Sequence, residues 1–190
     1  MAKEMLMSNK KFMRSTFLYL GQSELPEGFM ADKRNDFRLS RFCLSSLTGL
    51  KDISIINHLH LESDKDKLVS ISHTKELAAC ALCTNPKVKS VGIDIEWSDR
   101  KMREGTFKYF VSHERELKLH SPLEIWCIKE AAFKAYSPFH DDEREKILVL
   151  TDFVITEQGI LQGPNDSKLS YEIIEEEYQG RPFKLALTEY

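Results

Sequence analysis

Long apolar runs are missing from this 190-residue chain, and no stretch approaches the roughly 20 apolar residues that cross a bilayer. The opening residues, Met1-Ala2-Lys3-Glu4-Met5-Leu6-Met7-Ser8-Asn9-Lys10-Lys11, carry charges throughout and do not read as a signal peptide. A cytoplasmic protein with no membrane partner is therefore expected. An excess of one charge is missing too. The 27 Lys and Arg against 30 Asp and Glu leave a formal charge of -3, which argues against a protein that coats a polyanion, so no nucleic-acid partner is expected. Cysteine is sparse, at positions 43, 80, 83 and 127. Cys80-Ala81-Leu82-Cys83 has no second such pair to complete a zinc site, and in a strand the i and i+3 side chains leave opposite faces. Core packing is expected for this pair, and Cys127 reads as a small helix residue rather than a nucleophile. There is no low-complexity tract or long Gly/Ser linker. At 42% hydrophobic, the chain can bury a sizeable core in one compact unit or two small lobes.

What is present is strand alternation and helical spacing in separate stretches. Ser15-Thr16-Phe17-Leu18-Tyr19-Leu20 reads as a first strand, and Phe37, Leu44, Leu47 and Leu50 recur at helical spacing over 32–50, ending near Gly49. A strand is expected at 53–56, a charged loop at 57–67, then strands at 68–72, 76–84 and 90–97 with turns at Thr74-Lys75 and Asn85-Pro86. Helical stretches at 101–110 and 114–119 precede a helix at 123–136, which Pro138 stops. Strands at 147–156, 169–177 and 183–189 follow, with a short strand or turn at 159–163, and the last two strands join through Gln179-Gly180-Arg181-Pro182. Helices packed on mainly antiparallel strands, twice over, define an α+β fold.

Two segments carry chemistry. In Val91-Gly92-Ile93-Asp94-Ile95-Glu96 the side chains alternate, so Asp94 and Glu96 share one strand face. The stretch from Trp126 to Tyr136 holds no Gly or Pro, and Trp126, Glu130 and Lys134 stack at i, i+4 and i+8. Taken singly, an exposed strand face and an ordinary Glu-to-Lys helix pair explain these segments. Together, Asp94, Glu96 and Glu130 supply the hard oxygen donors that Mg2+ takes alongside water and substrate phosphate. Lys134 would hold a phosphate oxygen as a mobile point charge. Val69-Ser70-Ile71-Ser72-His73-Thr74 reads as a strand ending in a polar turn, close enough in sequence to neighbour the carboxylate strand in a hairpin-like arrangement.

In their order and spacing, Ser72-His73-Thr74, Gly92-Ile93-Asp94-Ile95-Glu96 and Trp126-x-x-Lys129-Glu130-Ala131-x-x-Lys134 resemble the motifs of 4'-phosphopantetheinyl transferases of the single-chain Sfp type. A weaker match lies upstream, where Asp36-Phe37-Arg38-Leu39-Ser40-Arg41-Phe42 resembles the family's early helix carrying a coenzyme-binding Arg. The alignment selects Arg41, although Arg38 lies one helical turn away and either can face a cleft. The resemblance implies two similar lobes related by a pseudo-twofold, with coenzyme A between them. It places an N-terminal lobe at 1–98 and a C-terminal lobe at 99–190, with the seam near Asp99.

The activity implied is a magnesium-dependent enzyme that transfers the 4'-phosphopantetheine arm of coenzyme A to a serine of an apo acyl or peptidyl carrier protein, releasing 3',5'-ADP. The residues implied for Mg2+ are Asp94, Glu96 and Glu130. Glu130 is also the candidate base, directly or through a metal-bound water, and Lys134 would neutralise the diphosphate as its bond breaks. Arg41 and His73 are assigned to the 3'-phosphate end or diphosphate of coenzyme A, with Arg38 and Lys33 as alternatives. Ser72 and Thr74 would offer hydroxyls, and Lys129 would join the phosphate clamp. Trp126 and Phe133 are expected in the core, and His58, His60, His113, His120 and His140 read as surface residues. The chain departs from the family after Lys134, where an acidic stretch at 141–145 replaces a glycine-containing basic loop and would repel an acidic carrier unless it points away. A monomer is expected. The rival readings are a non-catalytic coenzyme A or nucleotide-binding relative, and a carrier-binding scaffold.

Overall fold

The computed structural model describes residues 10–51, 53–141 and 146–190, with the Phe12 side chain left aside. Two antiparallel sheets stack face to face, each covered on its outer face by a helix. The first sheet contains β1 (Lys10–Phe12), β2 (Ser15–Gly21), β3 (Ile55–Ile56), β4 (His60–Leu61), β5 (Asp64–Thr74) and β6 (Leu77–Cys83), in the order β1-β2-β6-β5-β4-β3. Helix α1 (Asn35–Thr48) connects β2 to β3 and buries Leu39, Cys43, Leu44 and Leu47. These pack against Leu18, Leu20, Val69, Ala78 and Cys80 of the first sheet. Gly49 ends the helix at φ +68°, and its N–H donates to the Ser45 carbonyl, the left-handed stop that glycine makes cheaply.

The second sheet contains β7 (Val91–Trp97), β8 (Val154–Glu157), β9 (Ile160–Gln162), β10 (Lys168–Tyr178) and β11 (Arg181–Glu189), in the order β7-β11-β10-β9-β8. Its outer face carries α2 (Glu116–Leu119) and α3 (Pro122–Tyr136). Helix α3 starts at a capping box, where Ser121 Oγ accepts from Glu124 N and Glu124 Oε2 accepts from Ser121 N, with Pro122 at the first helical position. The inner faces of the two sheets meet through Phe17, Leu77, Ala79, Ala81 and Cys83 on one side and Val91, Ile93, Ile95, Trp97, Phe183, Leu185 and Leu187 on the other. The period of two in β7 thus sends its branched residues to the sheet interface and Gly92, Asp94 and Glu96 to the opposite, α3-facing side.

The α+β expectation holds, with a helix on an antiparallel sheet in each half. Several local expectations change. The chain crosses from one sheet to the other between Cys83 and Val91, not near Asp99, because β7 pairs with β11 over its whole length. For the same reason β5 and β7 are not a hairpin pair. The expected loop at 57–67 contains β4 and the start of β5, since pairing of His60 with Leu68 draws the charged stretch into the sheet. The expected helix at 101–110 is a 3-10 segment at Glu104–Tyr109, and of the strand expected at 147–156 only Val154–Glu157 pairs. Cys80 and Cys83 are buried on opposite faces of β6, and all four cysteines are free and buried. No helix among the described residues is long and apolar enough to cross a membrane.

Gly92 sets the distance between α3 and β7. A Cβ at this position would lie 1.8 Å from the Ala131 carbonyl oxygen and 2.8 Å from Ala135 N, both backbone atoms that cannot swing aside. The Gly92→Ala variant should therefore push α3 off the sheet and lose roughly 3 kcal/mol, the upper end of the range for overpacking. Urea unfolding measures this, and a loss below 0.5 kcal/mol, the usual scatter of neutral surface changes, would mean that the helix has room to move.

Candidate active site

Close approach of α3 to β7 brings Glu130 and Lys134 over Asp94 and Glu96. These four residues line one cavity of about 420 Å³ with Ser72 and His73 from β5, Arg34, Asp36 and Phe37 from the start of α1, and Arg100 and Trp126. Strand β5 lies alongside β7 in the same direction, and side chains instead of a backbone ladder connect them. Ser70 Oγ accepts from Ile93 N at 3.1 Å, Ser72 Oγ donates to Asp94 Oδ1 at 2.8 Å, and Thr74 Oγ1 donates to Glu96 Oε1 at 2.7 Å. The Ser72 and Thr74 hydroxyl protons, expected to reach coenzyme A, are thus spent on orienting two carboxylates.

The carboxylates differ in what holds them. Asp94 Oδ1 also accepts from Lys134 Nζ at 2.8 Å, and Lys134 donates in addition to the Ile93 carbonyl at 3.0 Å. Glu96 Oε1 accepts from Trp97 N as well as Thr74, and its Oε2 is paired with Arg100. The Glu130 carboxylate makes no hydrogen bond or ion pair among the described residues. Burial, and after it the negative charge of Asp94, push the Glu130 carboxyl above the usual carboxylate range. Open oxygens therefore remain at Asp94 Oδ2 and on both sides of Glu130, and no three ligand-type side chains among the described residues already enclose a metal ion.

His73 stands at the cavity edge, where Nε2 lies 3.9 Å from Asp36 Oδ2. Arg41 lines a neighbouring cavity of about 380 Å³ with His58, Ser70, Ser137 and Lys134, and the two cavities meet at Ile71 and Lys134. The two proposed clamp residues are therefore adjacent but do not share one cavity. Arg41 Nη1 is buried without a hydrogen-bond partner among the described residues, its guanidinium lies 5.0 Å from the Phe37 ring centre, and burial lowers its pKa. Arg38 is occupied, donating to the carbonyls of Pro26, Glu27 and Phe29 and to Asn35 Oδ1. Lys33 pairs with Asp32 at the surface and lines neither cavity.

Lys129 corrects its expected role in the phosphate clamp. Both Lys129 and Glu116 have fully buried side chains, paired at 2.8 Å, and Lys129 also donates to Ser112 Oγ at 2.7 Å. Glu116 in turn accepts from Ser112 N and Ile155 N. Drawing Lys129 into the cavity would strand a buried carboxylate, so it anchors α3 to α2 and β8 instead. Trp126 is more than core: it packs perpendicular to Phe110, and its ring also faces the Arg100 guanidinium, 5.2 Å away, at the cavity wall. His120 is buried and bonded to the Tyr171 hydroxyl at 2.7 Å, so it is not a surface residue. Asp36 and Arg100 were not singled out in sequence, because a helix-start Asp and an Arg beyond a strand have no local signature. The acidic stretch lies, at 142–145, outside the described residues.

The model of the 4'-phosphopantetheinyl transferase superfamily matches residues 90–177. That span holds β7, α3 and the carboxylates Asp94, Glu96 and Glu130, so the residues of the candidate site contributed by the second sheet and its helix lie in the part of the chain that is similar to this superfamily. No curated protein matches the chain.

Two outcomes test this electrostatic description. Replacing Lys129 by Met or Glu116 by Leu singly should cost about 3–5 kcal/mol in urea unfolding by leaving a buried charge, whereas the double replacement should recover most of the loss. Equal and additive losses would contradict the pairing. For Glu130 the folded-state pKa lies above the unfolded one, so the protein loses stability as pH rises through that raised value. Glu130→Gln escapes this loss; its Tm should exceed that of the parent at neutral pH, with the gap closing as pH falls below the ordinary glutamate range. A gap independent of pH would show that ionised Glu130 carries no such penalty.

Proposed function

We propose that the protein is an Sfp-type 4'-phosphopantetheinyl transferase acting on an apo acyl or peptidyl carrier protein in the cytoplasm, as a monomer. The observation that carries this reading is the convergence of Asp94, Glu96, Glu130 and Lys134 on one cavity within the superfamily match. The donor set suits magnesium: hard oxygens, two carboxylates with open positions, and space for phosphate oxygens and water, which is how Mg2+ is usually held. Asp94 and Glu130 would hold the ion first, with Glu96 as the third ligand. When bound, it would neutralise charge on the diphosphate of coenzyme A.

The chain's own groups then have defined work. The carrier serine oxygen forms a bond to the phosphorus that bears the pantetheine arm, the bridging P–O bond breaks, and its electron pair leaves on 3',5'-ADP. Glu130, directly or through a water held by the metal, would accept the serine proton. Lys134, tethered by the Ile93 carbonyl, reaches both cavities and would follow the charge onto the departing phosphate. Arg41 Nη1, without a hydrogen-bond partner among the described residues, suits a phosphate oxygen, and His73 would meet the coenzyme at the other cavity. A non-catalytic relative has no need of a carboxylate without a side-chain partner among the described residues beside a second carboxylate.

Incubation with coenzyme A, MgCl2 and a panel of apo carrier proteins should produce carriers heavier by one phosphopantetheine arm, read by intact-protein mass spectrometry. Asp94→Ala should abolish the gain, and, because it also removes the acceptor for Ser72 and Lys134, should lower stability by about 1–3 kcal/mol while the variant remains folded. No gain on any carrier, despite coenzyme A binding, would favour the non-catalytic reading. Arg41→Ala should shrink the preference for coenzyme A over 3'-dephospho-coenzyme A in calorimetry; an equal loss for both ligands would move Arg41 away from the 3'-phosphate.

A further inference from the structure

Two cavity cations, Arg34 and Arg100, are placed by neither the motif pattern nor the catalytic assignments; Arg34 is largely exposed and pairs with Asp36, whereas Arg100 reaches the carboxylates. It follows β7 in a turn closed by its own N–H on the Trp97 carbonyl at 3.0 Å. That turn is fixed from the other side, where Arg181 makes two hydrogen bonds to Asp99, at 3.1 and 2.8 Å, and lies 4.1 Å from the Trp97 ring centre. The backbone at Arg100 is thus held while its side chain, 41% exposed, extends along the cavity wall over Trp126.

Only one part of the guanidinium is used. Nη1 pairs with Glu96 Oε2, while Nε and Nη2 donate to no described residue. A planar guanidinium with a free edge suits bidentate contact with phosphate oxygens, and stacking on an indole fixes the plane without consuming donors. Glu96 is the reciprocal case. Its Oε1 is taken by Thr74 and Trp97 N, so Arg100 closes the only oxygen through which Glu96 can meet a cation. An ion pair in which one partner is this exposed contributes little net stability and exchanges readily. Arg100 also lies close enough to Glu130 to lower its proton affinity.

We propose that Arg100 is a phosphate ligand for the substrate, held on Glu96 in the free protein and exchanged onto a coenzyme diphosphate oxygen when Glu96 takes up a divalent cation. This rests on the transferase reading of the same cavity and adds a residue and an order of events to it. One charge changes places with another, so the cavity gains cation and anion together without leaving Glu96 or Arg100 unpaired.

The test measures two affinities with opposite expected signs. In Arg100→Met, coenzyme A binding by calorimetry in MgCl2 should weaken by roughly 10- to 100-fold, the loss of a charged hydrogen bond. Binding of Mn2+ alone, followed by the loss of its free electron-spin signal, should tighten by about two- to fivefold, because the competing cation is gone. Arg100→Lys should give an intermediate coenzyme affinity, and serves if the Met variant does not fold. A residue that merely supports the fold would weaken both ligands. Coenzyme affinity within twofold of the parent, or Mn2+ affinity unchanged or lowered in Arg100→Met, overturns the exchange. Failure of the parent protein to bind coenzyme A would instead remove the transferase reading itself.

Discussion

Hydrogen bonds from β5 hydroxyls to β7 carboxylates are the contact on which the site depends. Ser72 and Thr74 sit two residues apart, as Asp94 and Glu96 do, so one strand period sets both pairs in register. Because β5 belongs to the first sheet and β7 to the second, the same bonds that aim the carboxylates also align the two halves. The carboxylates thereby sit on rigid strands, facing a helix held close by Gly92, where flexible loops would leave their positions loose.

From this constraint comes an electrostatic conflict. Asp94 and Glu130 are brought together on facing elements; among the described residues Lys134 pairs with Asp94 alone, and Lys134 and Arg100 offset the charge of Glu130 only at a distance. The buried Lys129–Glu116 pair keeps α3 from rotating away to relieve the repulsion, since its donors and acceptors are fastened to α2, β8 and the 112–113 backbone. A cavity of this kind favours whatever brings positive charge to Asp94 and Glu130. A divalent cation accompanied by phosphate oxygens supplies it without burying net charge.

The sequence showed the second half of this site better than the first. Alternation in 91–96 and the uninterrupted helix at 126–136 gave the faces of Asp94, Glu96, Glu130 and Lys134, because those faces follow from backbone periodicity alone. Periodicity does not show which sheet a strand joins. The chain crosses between the sheets before Val91 and not near Asp99, because pairing with β11, far along the sequence, decides it. Lys129 matched a motif yet lies buried, its partner Glu116 being visible only once α2 and α3 are packed. Arg38 and Arg41 were equivalent by helical spacing, and the carbonyls of the 26–29 turn separate them. Arg100 had no sequence signal, since its role comes from the indole and carboxylate that tertiary packing sets beside it.

The central claim is that Asp94 and Glu130 hold a divalent cation against the diphosphate of coenzyme A. Phosphorus NMR of coenzyme A bound to the protein, titrated with substoichiometric Mn2+, tests that placement. Paramagnetic broadening should be strong on the diphosphate resonances and much weaker on the 3'-phosphate, and the difference should vanish in Asp94→Ala. Equal broadening of all three phosphorus signals, or a pattern unaltered by Asp94→Ala, would contradict it.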